Sequence, residues 1–94
     1  FKFQINPQTP AISPDDKQGQ YLNNLKNLLN GEWDSIQTDK DLHEKMYELM
    51  HEVELKPADI FPLMYQILIS REKGPKLAGF IRTIGKERVL SLLP

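Results

Sequence analysis

Ile69-Ser70-Arg71-Glu72-Lys73-Gly74-Pro75-Lys76-Leu77 is a basic turn, punctuated by Gly and Pro, between two of the most apolar segments of the chain. Ile60-Phe61-Pro62-Leu63-Met64-Tyr65-Gln66-Ile67-Leu68-Ile69 precedes it, and Leu77-Ala78-Gly79-Phe80-Ile81-Arg82-Thr83-Ile84 follows. Gly often takes the left-handed backbone that ends a helix, and Pro suits the first position of the next one. Gly74 is therefore expected to end one helix and Pro75 to open another, with Lys73 and Lys76 beside the new helix start. Unpaired backbone N–H groups at such a start attract anions, and basic side chains strengthen the attraction. The ligand this predicts carries phosphate.

Upstream of the turn, Lys56-Pro57-Ala58-Asp59 starts the preceding helix, at Pro57 or after Asp59. With Asp59 as N-cap, Pro62 sits at the third helical position, where its missing N–H breaks no bond; from Pro57, it falls one turn in and tightens or bends the helix. Beyond Pro62 the residues are apolar almost all round, which predicts the central helix of a bundle. Tyr65 is the exception, expected to be buried with its hydroxyl bonded. Downstream, Leu77, Phe80, Ile81 and Ile84 keep the i, i+3, i+4, i+7 spacing of one helical face. Gly85 closes that helix, and Lys86 opens a last one with Val89, Leu90, Leu92 and Leu93 facing inward.

The first half of the chain completes the bundle. Ser13-Pro14-Asp15-Asp16 predicts a helix start, with Ser13 as N-cap and Pro14 in the first helical position. Tyr21, Leu22, Leu25, Leu28 and Leu29 follow the helical period, and Asn30-Gly31 is expected to stop it. Trp33 and Ile36 lie in a short connection, where Trp33 is expected to plug the bundle end. Thr38 or Asp39 caps the next helix, whose stripe is Leu42, Met46, Leu49, Met50 and Val53. Before all this, Phe1, Phe3 and Ile5 alternate with polar residues until Pro7 and Pro10 halt any regular element. Residues 1–12 are thus an extended arm or linker, and 13–94 an all-α domain of about five short helices.

Ninety-four residues allow one domain with a modest core, and 27% charged against 39% apolar residues is a globular balance. The absence of cysteine excludes disulfides and thiolate metal sites and is compatible with a cytoplasmic protein. No apolar run approaches the ~18 residues of a membrane span, and no signal peptide opens the chain. Phe rather than Met in first position suggests a segment of a longer protein. The net charge of −1 conceals an asymmetry: 6 Lys/Arg against 11 Asp/Glu up to Phe61 give −5, and 6 against 2 thereafter give +4. Only the C-terminal third suits an anionic partner.

Catalytic chemistry is not written here. Gly74, Gly79 and Gly85 fit neither the dinucleotide fingerprint nor the phosphate-binding loop of nucleotidases. His43 and His51 stand eight apart, ~12 Å along a helix, whereas a zinc-protease helix needs two His four apart. No Ser-His-acid arrangement is evident. The chain by itself reads as neither an enzyme nor a metal protein.

Ile60-Phe61-x-x-x-Tyr65-x-x-Leu68, Glu72-Lys73-Gly74-Pro75-Lys76-Leu77 and Phe80-Ile81-x-x-Ile84-Gly85-x-x-x-Val89 together resemble the C-terminal end of class I lysyl-tRNA synthetases. The likeness runs best over residues 56–93, extends over 33–55, and is loose before Gly31. It implies a helical cage that reads the tRNA anticodon, joined elsewhere to a catalytic domain that activates lysine with ATP. The His-x-Gly-His and Lys-Met-Ser-Lys signatures of that catalytic domain are absent here. By the resemblance, Gly74, Pro75 and Leu77 would meet splayed anticodon bases of tRNA-Lys, while Arg71, Lys73, Lys76, Arg82, Lys86 and Arg88 contact phosphates. Ser70 stands where the family commonly has Gly, which implies a slightly different turn. The glutamyl-tRNA synthetases share the Gly-Lys-Glu-Arg helix start seen at Gly85 to Arg88 and are the near alternative. A helical protein-interaction module working through the acidic half is the alternative of another class.

Overall fold

The computed structural model describes residues 4–94. Its elements are α1 (Asp16–Glu32), a 3-10 turn (Trp33–Ser35), α2 (Asp39–Glu52), α3 (Pro57–Ile69), α4 (Leu77–Ile84) and α5 (Lys86–Leu92). The fold is all-α, and no strand occurs among the described residues. The alternation expected at Phe1 and Phe3 lies outside them, while Ile5 packs half-buried against the core.

Helix starts follow side chains that can satisfy orphan N–H groups, and here they correct the sequence reading. The Asp15 carboxylate accepts from the Gln18 amide at 2.8 Å, and the Gln18 side chain accepts from Asp15 N–H at 3.1 Å. This reciprocal box makes Asp15 the N-cap, so Ser13 and Pro14 stay outside α1. Thr38 caps α2 in the same way with Asp41. In α3 the helix begins at Pro57, and the Asp59 carboxylate accepts from Lys56 N–H at 2.9 Å. Asp59 is therefore a first-turn acid rather than the cap, and Pro62 lies inside the helix.

The far end of α1 also differs from expectation. Asn30-Gly31 does not stop the helix, which continues to Glu32 and tightens into the 3-10 turn. The Ser35 hydroxyl then donates to the Glu32 carbonyl at 2.8 Å. Trp33 lies half-buried against the core beside the fully buried face of α1.

The core draws on every helix. Seven of the thirteen residues of α3 are buried, more than in any other helix, as its near-continuous apolar run requires. Leu25 and Leu29 of α1, Leu42 and Met46 of α2, Ile81 of α4 and Val89 of α5 close around it with no exposed surface. No buried side-chain nitrogen or oxygen among the described residues lacks a hydrogen-bond partner.

Tyr21 is the fully buried phenol of this core, and its hydroxyl donates to the Met46 carbonyl at 3.4 Å. Burial pushes its pKa well above the ordinary value of 10.0. Above pH 10 the unfolded chain releases this proton and the folded chain keeps it, so stability falls as pH rises. The expected slope is about 1.4 kcal/mol per pH unit for this one group. Urea midpoints between pH 9 and pH 11 should fall less steeply for Tyr21→Phe than for the unaltered chain.

Candidate nucleic-acid interface

The turn between α3 and α4 is held by contacts from three directions. Ser70, not Gly74, takes the left-handed conformation that ends α3, with φ 56° and ψ 38°, and its N–H donates to the Gln66 carbonyl at 3.1 Å. Glycine would adopt that backbone without steric cost. Ser70 keeps it with a second tie, because its hydroxyl donates to Asn6 Oδ1 at 2.8 Å.

Asn6 works as a clamp on the end of α3. Its side-chain amide donates to the carbonyls of Gln66 and Ile67 at 3.1 and 2.8 Å, and its backbone N–H donates to Leu68 at 2.8 Å. Carbonyls in a helix's last turn have no partner within the helix, so Asn6 supplies from afar what a local cap would. Arg88 in turn donates to the Asn6 carbonyl at 3.1 Å.

Gly74 is needed for space. A Cβ built on it would stand 2.9 and 3.0 Å from two ring carbons of Tyr65 and 3.1 Å from Ile69 Cδ1. The Tyr65 hydroxyl donates to the Pro75 carbonyl, so ring and hydroxyl together seat the turn on α3. Burial raises the pKa of Tyr65, which keeps it a donor. Pro75 is not the first residue of α4: the helix starts at Leu77 with Lys76 as its unassisted N-cap.

The start of α4 opens on a cleft of about 560 Å³, lined by Gly74, Lys76, Leu77, Ala78 and Gly79 of the turn and α4 and by Asp39, Lys40, His43, Phe61 and Tyr65 of α2 and α3. The anion-attracting helix start expected from sequence is modified by a carboxylate of the protein itself. Asp39 Oδ2 would lie 2.8 Å from a Cβ placed on Gly79. Asp39 Oδ1 pairs with Arg82 at 2.7 Å, and Arg82 also donates to the Gln37 carbonyl at 2.9 Å. Arg82 thus ties α4 to the start of α2.

The sequence-derived residues fall into distinct groups. Lys73, Gly74, Pro75 and Lys76 are exposed together on the turn. Lys73 and Lys76 have no ion-pair partner among the described residues. Arg71 is exposed one step away, beside Ser70 and Ile12. Leu77 is only 4% exposed and borders the cleft from beneath the turn. Lys86 and Arg88 line a separate recess with Trp33 and Gly85. Sequence reasoning missed Asn6, Asp39, His43 and Phe61 as neighbours of the turn, and Tyr47 as the ring that joins His43 to Phe61. Only the i, i+4 spacing of His43 and Tyr47 was a local signal.

Among the described residues no three His, Asp or Glu side chains are placed to hold a metal ion, and no helix is long and apolar enough to cross a membrane.

No family model matches the chain. It is, however, similar over almost its whole length to curated lysine–tRNA ligases. That of Borrelia garinii subsp. bavariensis is 45% identical over 93 residues, which covers 94% of this chain and 17% of the relative. That of Borreliella burgdorferi is 36% identical over 89 residues, again 94% and 17%. The ligase of Methanosphaera stadtmanae is 30% identical over 89 residues, 95% and 16%. The chain therefore spans about one sixth of the length of these relatives.

Proposed function

The chain matches one region of the lysine–tRNA ligases, and from that premise we propose that it is the anticodon-binding domain of a class I lysyl-tRNA synthetase. The observation that carries the reading is the turn itself. Lys73 and Lys76 stand exposed and unpaired among the described residues on a segment seated by Tyr65 and Asn6, at the mouth of an open cleft. A rigid basic loop beside a cleft suits an RNA loop, whose unstacked bases are recognised by shape and edge contacts while cations hold the phosphates.

In this reading the partner is tRNA-Lys through its anticodon loop, in the cytoplasm. Activation of lysine with ATP belongs to the remainder of the parent synthetase, and this chain contributes no catalytic residue. Gly74 and Pro75 approach the bases, Lys73 and Lys76 make the first phosphate contacts, and Arg71, Lys86 and Arg88 extend the positive face. Arg82 acts through its bond to Asp39, as a positioning residue. The covered core speaks against a helical protein-interaction module, since Tyr47 is the only large hydrophobic residue left exposed among the described residues.

A salt titration of binding to anticodon stem-loops tests the proposal, comparing lysine, glutamate and scrambled loops. Tighter binding to the lysine loop is expected. Preference for the glutamate loop would instead make the chain part of a glutamyl-tRNA synthetase. The double variant Lys73→Glu/Lys76→Glu should bind more weakly, with a salt slope shallower by roughly 0.7 for each phosphate that is no longer neutralised. Unchanged binding by the folded double variant would remove these lysines from the interface.

A further inference from the structure

Three aromatic rings from two helices meet at the edge of the cleft. His43 and Tyr47 are one turn apart on α2, with ring centroids 4.4 Å apart and planes tilted by 33°. Phe61 of α3 meets Tyr47 edge-on, at 6.0 Å and 72°. Tyr47 is 38% exposed, whereas the neighbouring stripe of α2 sends Leu42, Met46 and Met50 into the core. The core does not account for His43 and Tyr47, yet Phe61 holds the tyrosine ring in place. His43 and Phe61 both line the cleft that Lys76 borders, and Phe61 shares a second recess with Lys73.

We propose that the His43–Tyr47–Phe61 wall is a stacking platform for one unpaired base of a single-stranded RNA loop, whose adjoining phosphates rest on Lys73 and Lys76. This rests on the nucleic-acid reading above and adds to it a base-binding site with two of its three rings on α2, a helix that does not flank the turn. The chemistry follows from what an unpaired nucleotide offers. Its base has an apolar π-face that stacks on Tyr, Phe or His, and its phosphate carries the charge. His43 and Phe61 border one cleft with Lys76, and Phe61 borders the adjoining recess with Lys73, so rings and cations meet both parts at once. Stacking is tolerant of base identity, so the platform contributes affinity while edge contacts elsewhere discriminate.

The test uses the 94-residue chain, whose core is closed, and measures anisotropy of a labelled lysine anticodon stem-loop at several salt concentrations. Tyr47→Ala is expected to weaken binding about ten-fold with an unchanged salt slope, as removal of a stacking partner requires. Tyr47→Trp should retain affinity, and His51→Ala, on the same helix but outside the ring cluster, should bind as the unaltered chain does. Tyr47→Ala loses the ring contacts with His43 and Phe61 but none of the fully buried core, so it should melt a few degrees lower and remain folded at the assay temperature. Full affinity in Tyr47→Ala, or a weakening accompanied by a shallower salt slope, would overturn the platform alone. Failure of the unaltered chain to bind any loop would overturn the nucleic-acid reading and the platform with it.

Discussion

Truncating Tyr65 to alanine is expected to cost about 3–5 kcal/mol, the range for removing a buried aromatic side chain. For a domain of this size such a change lowers Tm by on the order of 20 °C. The ring is 8% exposed and lies against Gly74, while its hydroxyl bonds the Pro75 carbonyl. Tyr65→Phe separates these two roles. It keeps the ring and removes the hydroxyl, at about 1 kcal/mol for one neutral hydrogen bond. The exposed position of Pro75 lets water replace the missing donor, which limits the thermal effect. The turn, however, is no longer tethered to α3. Affinity for the stem-loop should therefore fall further in Tyr65→Phe than its small change in Tm implies. Equal destabilisation by the two substitutions would show that the hydroxyl, rather than the ring, seats the turn. Differential scanning calorimetry of both variants, alongside their binding curves, decides the matter.

The second large effect is expected at Gly85, the single residue that separates α4 from α5. Its φ of 99° and ψ of 151° lie in a region essentially restricted to glycine. Its N–H donates to the Ile81 carbonyl at 2.9 Å, and its own carbonyl accepts from Val89 N–H at 3.2 Å. A side chain here strains the end of one helix and the start of the next together. Gly85→Ala should destabilise by about 1–3 kcal/mol, although nothing lies within 4 Å of the added Cβ. Gly31→Ala provides the control. Gly31 is within α1 and its Cβ would likewise meet nothing within 4 Å. There the same added methyl should stabilise by roughly 0.5–1 kcal/mol, because it restricts the unfolded chain. Urea denaturation should show shifts of opposite sign, and a shared sign would locate the effect somewhere other than the backbone of Gly85.

Much of the bundle was legible because local rules and tertiary packing agree. The spacing of Leu42, Met46 and Met50, a cap at Thr38 or Asp39 and the break at Gly85 all depend on residues within a few positions of one another. Ser13 and Asp15 both suit an N-cap, and the reciprocal bond with Gln18 decided between them. The turn was harder. Gly74 invited a conformational explanation, whereas the left-handed residue is Ser70 and the constraint on Gly74 comes from a tyrosine ring nine residues earlier. The pairing of Arg82 with Asp39, 43 residues away, gives no sign of itself in sequence. Separation in sequence also hid the aromatic wall, which joins a ring of α3 to two on α2.

Asn6 gains a further property from its neighbour. Asparagine ages by deamidation when the backbone nitrogen of the following residue attacks its side-chain carbonyl, and the following residue here is Pro7, which has no N–H to lose. The clamp on α3 is therefore shielded from the slow chemistry that would replace its donating amide with a carboxylate facing the carbonyls of Gln66 and Ile67. Asn30-Gly31 is the sequence most open to that chemistry, and it is held in helical geometry at a place where no side-chain hydrogen bond depends on it. Chemical ageing would then mark α1 long before it reached the turn.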